Sequence, residues 1–141
     1  MWAPAFACMA AGCDRPLVGA GLSDDVRMRG ARSTDGRLDV KLPAPHPAAE
    51  QLFGAAWSAC YMGAIELAAA QRKVKLPDGL AVDAEIDLNL ADGAFFLRAR
   101  LNVSVPGVER DQAQALIDNA HTICPYSKAV HGNIEVVTTL A

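Results

Sequence analysis

Strict alternation of apolar and polar residues marks the middle of the chain. Between residues 80 and 105, apolar side chains fall on every second position up to Leu90, and again from Phe95 onward. The pair Asp92-Gly93 separates the two runs, and Asp-Gly is frequent in tight hairpin turns. This pattern predicts a long antiparallel hairpin with one buried face and one solvent-exposed face.

Two other stretches show helical spacing. Residues 50–73 are rich in good helix formers and lack proline, and their apolar residues cover most of the circumference. We therefore predict a central helix that is buried on nearly all sides. Residues 109–124 repeat apolar side chains at three- and four-residue steps, and Pro125 ends this second predicted helix after Cys124.

Shorter patterns complete the predicted architecture. Residues 38–42 and 133–140 each read as a short strand. The order strand, helix, hairpin, helix, strand indicates an α+β domain with helices packed on an antiparallel sheet. The 141 residues suffice for one such domain. We assign residues 26–141 to it and treat residues 1–25, which carry little pattern, as a divergent N-terminal lead-in.

Composition and charge argue against several classes of function. The net charge is −3 and no block of Lys or Arg stands out, so we expect neither a nucleic acid nor an anionic membrane surface as partner. No apolar run approaches the ~20 residues that span a bilayer. The apolar N-terminal residues lack the basic start of a signal peptide, so we expect a cytoplasmic protein whose thiols are reduced.

The cysteines offer the most chemistry. Cys60 lies mid-helix in apolar surroundings, and Cys124 lies in the last turn of the second predicted helix. Both are compatible with ordinary core packing, because free cysteine is often a small buried hydrophobe. A reactive thiolate needs nearby positive charge, and the carbonyl end of a helix disfavours negative charge. Cys60 would therefore depend on an arginine from elsewhere, and the segment from Arg27 to Arg32 is the obvious source.

Other arrangements have less support. His121, Cys124 and His131 carry ligand-type side chains, but no pair matches zinc-finger spacing, so we predict no metal site. A nucleophile–base pair of Cys60 with His121 is conceivable, yet no oxyanion motif accompanies it. The glycines form neither a P-loop nor a dinucleotide-binding fingerprint.

Two cysteine-containing motifs resemble those of a known family. The stretches EQLFGAAWSAC, from Glu50 to Cys60, and HTICPYSKAVHGNI, from His121 to Ile134, are similar to the two cysteine motifs of the OsmC/Ohr family. The likeness covers residues 33–140 and is to the organic hydroperoxide resistance branch. It implies an OsmC/Ohr-like α+β fold, in which an antiparallel sheet packs on a central buried helix plus a second helix, assembled as an intertwined homodimer.

The resemblance also implies a mechanism. Cys60 matches the peroxidatic cysteine, Cys124 the resolving cysteine, and Glu50 a glutamate that orients an arginine. Counting back from the Ser-Thr-Asp-Gly motif assigns that arginine to Arg27, with Arg29 as the alternative. Cys60 would then reduce alkyl or fatty-acid hydroperoxides to alcohols through a sulfenic acid and a Cys60–Cys124 disulfide.

Aromatic residues of the predicted core are candidates for the wall of an apolar substrate pocket, with ordinary core packing as the alternative. They are Phe53, Trp57, Tyr61, Phe96 and Tyr126. The resemblance implies no prosthetic group, and the reductant would be a dihydrolipoyl group, either dihydrolipoamide or a lipoylated protein. Two alternatives stay open: a general OsmC-like stress protein with weak peroxidase activity, and a non-catalytic dimer that binds apolar ligands.

Helix geometry adds one expectation about Glu50. If one unbroken helix held both Glu50 and Cys60, the two residues would lie ~15 Å apart along its axis. One arginine cannot easily serve both within that helix. We therefore predict either that the helix begins after Glu50, or that the Glu50 at a given site comes from a partner subunit.

Overall fold

The structure, a computed structural model, describes residues 29–32, 37–42 and 47–141. The predicted lead-in of residues 1–25 lies outside the described residues, and the assignment of residues 26–141 to one domain stays a prediction. The chain divides into two compact units, residues 1–49 and 50–141. In the first unit, β1 (Arg29–Arg32) pairs antiparallel with β2 (Asp39–Leu42). The pattern predicted β2 but not β1, because the arginine-rich β1 lacks alternating apolar residues.

The second unit holds the rest of the described structure apart from the first residues of α1. Its helices and strands, in chain order, are α1 (Ala48–Gln71), β3 (Ala81–Ala91), β4 (Ala94–Ser104), α2 (Arg110–Ile123), α3 (Pro125–Val130) and β5 (Glu135–Leu140). The predicted helices, hairpin and final strand are all present, within a few residues at their ends. The short helix α3 was not predicted.

The hairpin of β3 and β4 has the predicted register and turn. Ala91 pairs with Ala94 across the turn, where Asp92 and Gly93 have φ angles of 51° and 76°. On the solvent-exposed face, Arg100 of β4 bonds to carboxylates of β3. The strand β5 then adds beside β4 in parallel orientation, so the sheet order is β3-β4-β5. A parallel neighbour requires a crossover connection, and here α2 and α3 form it.

The core of the second unit lies between α1, α2 and the inner face of the sheet. Trp57, Tyr61 and Ile65 of α1 are fully buried, as are Leu101 of β4 and Leu116 of α2. Burying a side chain of this size stabilises the fold by about 1.5–3 kcal/mol. Together with the order of elements, this packing confirms the predicted α+β class with a central helix.

One strip of α1 departs from the prediction of burial on nearly all sides. Small and apolar residues along it are exposed in the single chain, namely Ala55, Ala56, Ala59, Gly63 and Leu67. Contrary to the expectation from the sequence, α1 is long and apolar enough to cross a membrane by length and composition alone. On the face of α1 opposite the exposed strip, Trp57, Tyr61 and Ile65 are buried, which makes α1 a core helix of the protein.

The end of α1 is closed by a Schellman motif. The amide of Val74 donates to the carbonyl of Ala69 at 2.9 Å, and that of Lys73 donates to Ala70 at 3.1 Å. This places Lys73 in the left-handed region, with φ of 57°. Glycine adopts this conformation without the steric penalty that a Cβ atom adds.

Replacing Lys73 by glycine is therefore expected to stabilise the fold. We expect the free energy of unfolding in urea to rise by about 0.5–1 kcal/mol, because the Cβ strain disappears. Lys75→Gly is the matched control: Lys75 is exposed and has no positive φ, so added chain entropy should make that variant slightly less stable. Equal losses in both variants would contradict the prediction.

Candidate functional site

Two thiols from distant parts of the sequence meet in the second unit. The Sγ atom of Cys124 lies 3.4 Å from the Sγ atom of Cys60. Cys60 is carried by the middle of α1 and is partly exposed, whereas Cys124 is fully buried. No disulfide joins the two cysteines in the structure. The structure thus brings together the two cysteines that the sequence singled out.

Cys124 lies at a junction that the sequence pattern described incompletely. Its backbone amide donates to Ala120 as the C-cap of α2, and its Sγ atom accepts from the amide of Ser127 as the N-cap of α3. The carbonyl end of α2 is thus followed directly by an amide donor from the next helix, which the sequence pattern did not predict. Pro125 at the first position of α3 is the signal that could have revealed this helix, because proline favours that position.

The surroundings of Cys60 act on its acidity in opposite directions. Burial and the contacts with Cys124 raise the pKa of Cys60 to about 11, whereas a hydrogen bond from the backbone amide of Tyr126 lowers it. Burial disfavours the charged form, while an amide donor stabilises it. The described contacts therefore leave the Cys60 thiol mostly protonated at neutral pH.

A hydrogen-bonded chain of side chains runs behind the thiols. The indole of Trp57 donates to the Oγ atom of Ser127 at 3.1 Å. The same oxygen lies 3.1 Å from Nδ1 of His121, and Nε2 of His121 lies 2.8 Å from Oγ1 of Thr138. Four elements, α1, α2, α3 and β5, are linked by this chain. Sequence reasoning missed Ser127 and Thr138, because nothing local marks either as special.

Both ring nitrogens of His121 take part in these hydrogen bonds, and neither of them bonds to Cys60. Its ring also packs on Tyr61, with the ring centroids 4.6 Å apart. Burial lowers the pKa of His121 below its ordinary value, against the opposing effect of Asp118. The considered nucleophile–base pair of Cys60 with His121 is therefore not formed, since the hydrogen bonds of His121 go to Ser127 and Thr138.

The aromatic residues expected around a substrate occupy different places. Phe53 packs edge-on against Trp57, with ring centroids 5.6 Å apart, while Tyr61 donates to the Ile117 carbonyl at 2.6 Å. Tyr126 is 40% exposed, next to Cys60 through its backbone. Phe96 sits under the guanidinium of Arg98 on the solvent-facing side of β4. The structure thus groups the three aromatics of α1 but does not place Phe96 with them.

A groove of about 630 Å³ opens on the side of Ser127 and His121. Its floor includes Trp57, and its rim carries the basic side chains Lys128 and His131. Neither cysteine lines it. Within the part of the chain that the structure describes, no group of three or more metal-ligand side chains occurs.

The predicted arginine–glutamate pair is only partly described. Arg27 lies outside the described residues, and the alternative, Arg29, begins β1. Glu50 lies in the first turn of α1, which starts at Ala48 and runs without a break past Cys60. Of the two predicted alternatives, a helix that begins after Glu50 is therefore wrong, and a Glu50 supplied by a partner subunit stays a prediction. Alanines at positions 48 and 49 are strong helix formers, and they let α1 start directly after Pro47.

Known proteins share this sequence and fold. The family model described as OsmC-like protein matches residues 42–139. An organic hydroperoxide resistance protein of Xanthomonas axonopodis pv. citri is 40% identical over 120 residues, which cover 79% of this chain and 84% of the relative. The organic hydroperoxide resistance protein OhrB of Bacillus subtilis is 33% identical over 124 residues, or 79% of this chain and 91% of the relative.

Solved structures agree with the sequence matches. The crystal structure of Bacillus subtilis OhrB has a TM-score of 0.75 at 33% identity, covering 88% of this chain and 96% of that one. An organic hydroperoxide resistance protein from Elizabethkingia anophelis has a TM-score of 0.78 at 33% identity, with coverage of 88% and 94%. Matches in sequence and fold over most of both chains go beyond a shared architecture. This chain therefore belongs to the OsmC family, in its organic hydroperoxide resistance branch.

Proposed function

We propose that the chain is a cysteine-based peroxidase that reduces organic hydroperoxides to alcohols. The names of its relatives, organic hydroperoxide resistance proteins, support a role in peroxide detoxification. The observation that carries the chemistry is the pair of free thiols 3.4 Å apart, one partly exposed and one buried. Such a pair can hold both products of peroxide reduction, a sulfenic acid and a disulfide.

The proposed cycle assigns one step to each sulfur. The Cys60 thiolate attacks the distal peroxide oxygen, the O–O bond breaks, and the departing alkoxide takes a proton to leave as an alcohol. Cys124 then attacks the sulfur of the Cys60 sulfenic acid, and the hydroxyl leaves as water. A disulfide has an S–S length of about 2.05 Å. From the observed 3.4 Å, a small shift of either side chain completes the bond.

The order of attack follows from exposure. Cys60 is partly exposed and can meet a peroxide, whereas Cys124 has 0% exposure and can meet only its neighbour. A buried second thiol is suited to the resolving step, because it can react with the Cys60 sulfenic acid without competing with Cys60 for the peroxide. Apolar core residues around the pair suit an alkyl or fatty-acid hydroperoxide better than hydrogen peroxide.

An arginine is required to make Cys60 a nucleophile in this proposal. Burial and Cys124 hold the pKa of Cys60 at about 11, so a thiolate at neutral pH needs a nearby cation. We propose Arg27 in this role, with Arg29 as the alternative, and Glu50 as the carboxylate that orients the guanidinium through a bidentate pair. The arginine would also stabilise charge developing on the peroxide oxygens.

The pH dependence of Cys60 alkylation tests this assignment. In the intact protein, we expect the rate of iodoacetamide modification of Cys60 to show a pKa well below 11. Arg27→Ala is expected to raise that pKa and to slow modification at pH 7 by at least about tenfold, since one pKa unit is a tenfold change in thiolate. Arg29→Ala is the matched control, and the reverse outcome would assign the role to Arg29.

We also propose that the chain works as a homodimer. The exposed strip on α1 is mostly alanine and glycine, which lets another backbone approach closely. At the far end of the β3–β4 hairpin, Leu90 is 61% and Phe95 71% exposed on the face that continues the core. Apolar surfaces of this kind mark interaction sites. Since Glu50 lies ~15 Å from Cys60 along α1, the dimer would also supply each site with a glutamate from the second copy.

The reductant and the compartment complete the proposal. We propose that a dihydrolipoyl group, as dihydrolipoamide or on a lipoylated protein, reduces the Cys60–Cys124 disulfide by thiol–disulfide exchange. A cytoplasmic location fits this chemistry, because a reducing compartment returns the pair to free thiols. The protein itself then needs no prosthetic group.

A stoichiometric thiol assay tests the proposed function. The sequence has two further cysteines, Cys8 and Cys13, which are replaced by serine so that only Cys60 and Cys124 are counted. In this Cys8→Ser/Cys13→Ser background, reduced protein is mixed with tert-butyl hydroperoxide, and we expect the loss of two thiols and a Cys60–Cys124 disulfide in mass spectra. Unchanged thiols would favour the non-catalytic apolar-ligand dimer. Oxidation by hydrogen peroxide at the same rate would favour a general OsmC-like stress protein with weak peroxidase activity.

A further inference from the structure

Cys124 is held by a short turn whose position depends on its neighbours. The turn lies between α2 and α3. The Sγ atom of Cys124 accepts a hydrogen bond from the amide of Ser127 at 3.5 Å. Helix α3 has only 6 residues, too short to be stable on its own. Contacts with neighbouring elements must therefore fix where Cys124 stands relative to Cys60.

Ser127 makes those contacts through its side chain. Its hydroxyl accepts from the indole of Trp57 on α1, one turn before Cys60, and lies 3.1 Å from Nδ1 of His121 on α2. Ser127 is 6% exposed, so its hydroxyl proton needs an acceptor inside the protein. Nδ1 of His121 provides it when the ring proton is on Nε2, which then donates to Thr138 at 2.8 Å. All bonds of the chain then run in one direction, from Trp57 to Thr138.

We propose that His121, acting through Ser127, is a positioning residue for the second step of the cycle, in which Cys124 attacks oxidised Cys60. This inference rests on the proposed function for its biological step, although its chemistry is testable without a peroxide. The hydrogen bonds of His121 go to Ser127 and Thr138 and to neither sulfur. His121 fixes Ser127, and Ser127 in turn fixes the amide that faces Cys124.

The effect should fall mainly on the second step. In the proposed cycle the first step needs Cys60, the arginine that activates it and the substrate, and Cys60 is carried by the long core helix α1. The second step joins two sulfurs that start 3.4 Å apart, so its rate depends on the position of the turn that carries Cys124 relative to Cys60. A misplacement of about 1 Å can slow a reaction about a hundredfold.

Slower resolution has a chemical consequence for Cys60. Its sulfenic acid persists until Cys124 attacks, and a second hydroperoxide can oxidise it to sulfinic acid with release of another alcohol. Sulfinic acid cannot form the disulfide and is not restored by a dithiol. The position of Ser127 and His121 thereby protects the enzyme from inactivation by its own substrate.

The hydrogen bonds that run from Trp57 through Ser127 and His121 to Thr138 should also respond to pH. The groups that face His121 are Asp118 on α2, Tyr61 on α1, Ser127 on α3 and Thr138 on β5, while the basic residues Lys128 and His131 line the same groove. Protonated His121 has two donors and no acceptor, so it can no longer accept from Ser127. Because burial lowers the pKa of His121, this loss occurs below the ordinary range of histidine.

A disulfide probe isolates the second step without a peroxide. In the Cys8→Ser/Cys13→Ser background, the Cys60 thiolate attacks Ellman's reagent, forms a mixed disulfide and releases one thionitrobenzoate. Cys124 then attacks the Cys60 sulfur and releases the second thionitrobenzoate, with its proton passing to solvent. For His121→Ala, we expect the first release to stay within twofold of the parent and the second to slow at least about tenfold. His121→Gln, which keeps an acceptor and a donor, should recover part of the rate.

Controls separate positioning from general damage. His131→Ala, which removes an exposed side chain on the same groove, should leave both releases unchanged. Acid slows the second release in every variant, because the Cys124 thiolate is lost, but the slowing should be steeper in the parent than in His121→Gln. Sulfinic acid should accumulate faster in His121→Ala treated with excess tert-butyl hydroperoxide. Equal slowing of both releases, or slowing of neither, overturns the inference. A parent protein that resolves the probe but ignores hydroperoxide would refute the proposed function and leave this inference standing.

Discussion

Replacing Cys60 by serine is expected to lower kcat/KM for tert-butyl hydroperoxide by more than about a thousandfold. Serine keeps nearly the same shape, but its hydroxyl stays protonated and is a far weaker nucleophile than a thiolate. Because the side chain sits in the middle of α1, the change should leave the fold intact. The measurement is hydroperoxide consumption with dihydrolipoamide as the reductant, together with the circular dichroism spectrum of the variant.

Cys124→Ser is the matched control for this prediction. It leaves the first step possible, so we expect about one equivalent of hydroperoxide consumed and a Cys60 sulfenic acid in mass spectra, followed by sulfinic acid in excess peroxide. Turnover with the dithiol should then fall less than in Cys60→Ser. If Cys124→Ser lost the first equivalent and Cys60→Ser kept it, the roles of the two sulfurs would be exchanged.

Local patterns in the sequence predicted most of the fold. Alternation over residues 80–105 defined the β3–β4 hairpin, with the Asp92-Gly93 turn in the observed place. Helical spacing defined α1 and α2, because a long run of one period outweighs the preferences of single residues. The parallel pairing of β5 with β4 was not predicted, because the direction of a strand depends on its connection and not on its own residues.

The candidate site was less accessible to such reasoning. The bonds that build it join residues far apart, such as Trp57 with Ser127 at a separation of 70 positions. No local period carries this information, so the pairing of Cys60 with Cys124 was expected only from the family resemblance. Phe96 was grouped with the α1 aromatics because it is aromatic, whereas its place in the alternation of β4 sets it on the solvent-facing side.

The exposed strip of α1 shows how a prediction can be right about composition and incomplete about partners. The helix carries apolar residues around most of its circumference, yet the described residues bury only one face of it. A helix of this kind is normally enclosed. The proposed homodimer would place a second copy on the other face, and two aliphatic side chains on α1, Ile65 and Leu67, can separate the two kinds of burial.

Truncation of Ile65 to alanine is expected to lower the free energy of unfolding by about 2–5 kcal/mol. Ile65 is fully buried within the chain, so the loss combines the transfer of the removed atoms with a cavity that the packed core closes only in part. Natural domains have only about 5–15 kcal/mol in total. The midpoint of urea unfolding should fall while its slope stays the same, since the surface exposed on unfolding hardly changes.

Leu67→Ala is the control on the opposite side of the same helix. Leu67 is 38% exposed in the single chain, so a monomer should lose much less stability than with Ile65→Ala. A homodimer covering the α1 strip gives a different signature: the loss becomes large and depends on protein concentration, because dissociation is then coupled to unfolding. Sedimentation of Leu67→Ala across a hundredfold concentration range distinguishes the cases. A loss as large as that of Ile65→Ala, independent of concentration and without any dimer, would contradict the assignment of these two faces.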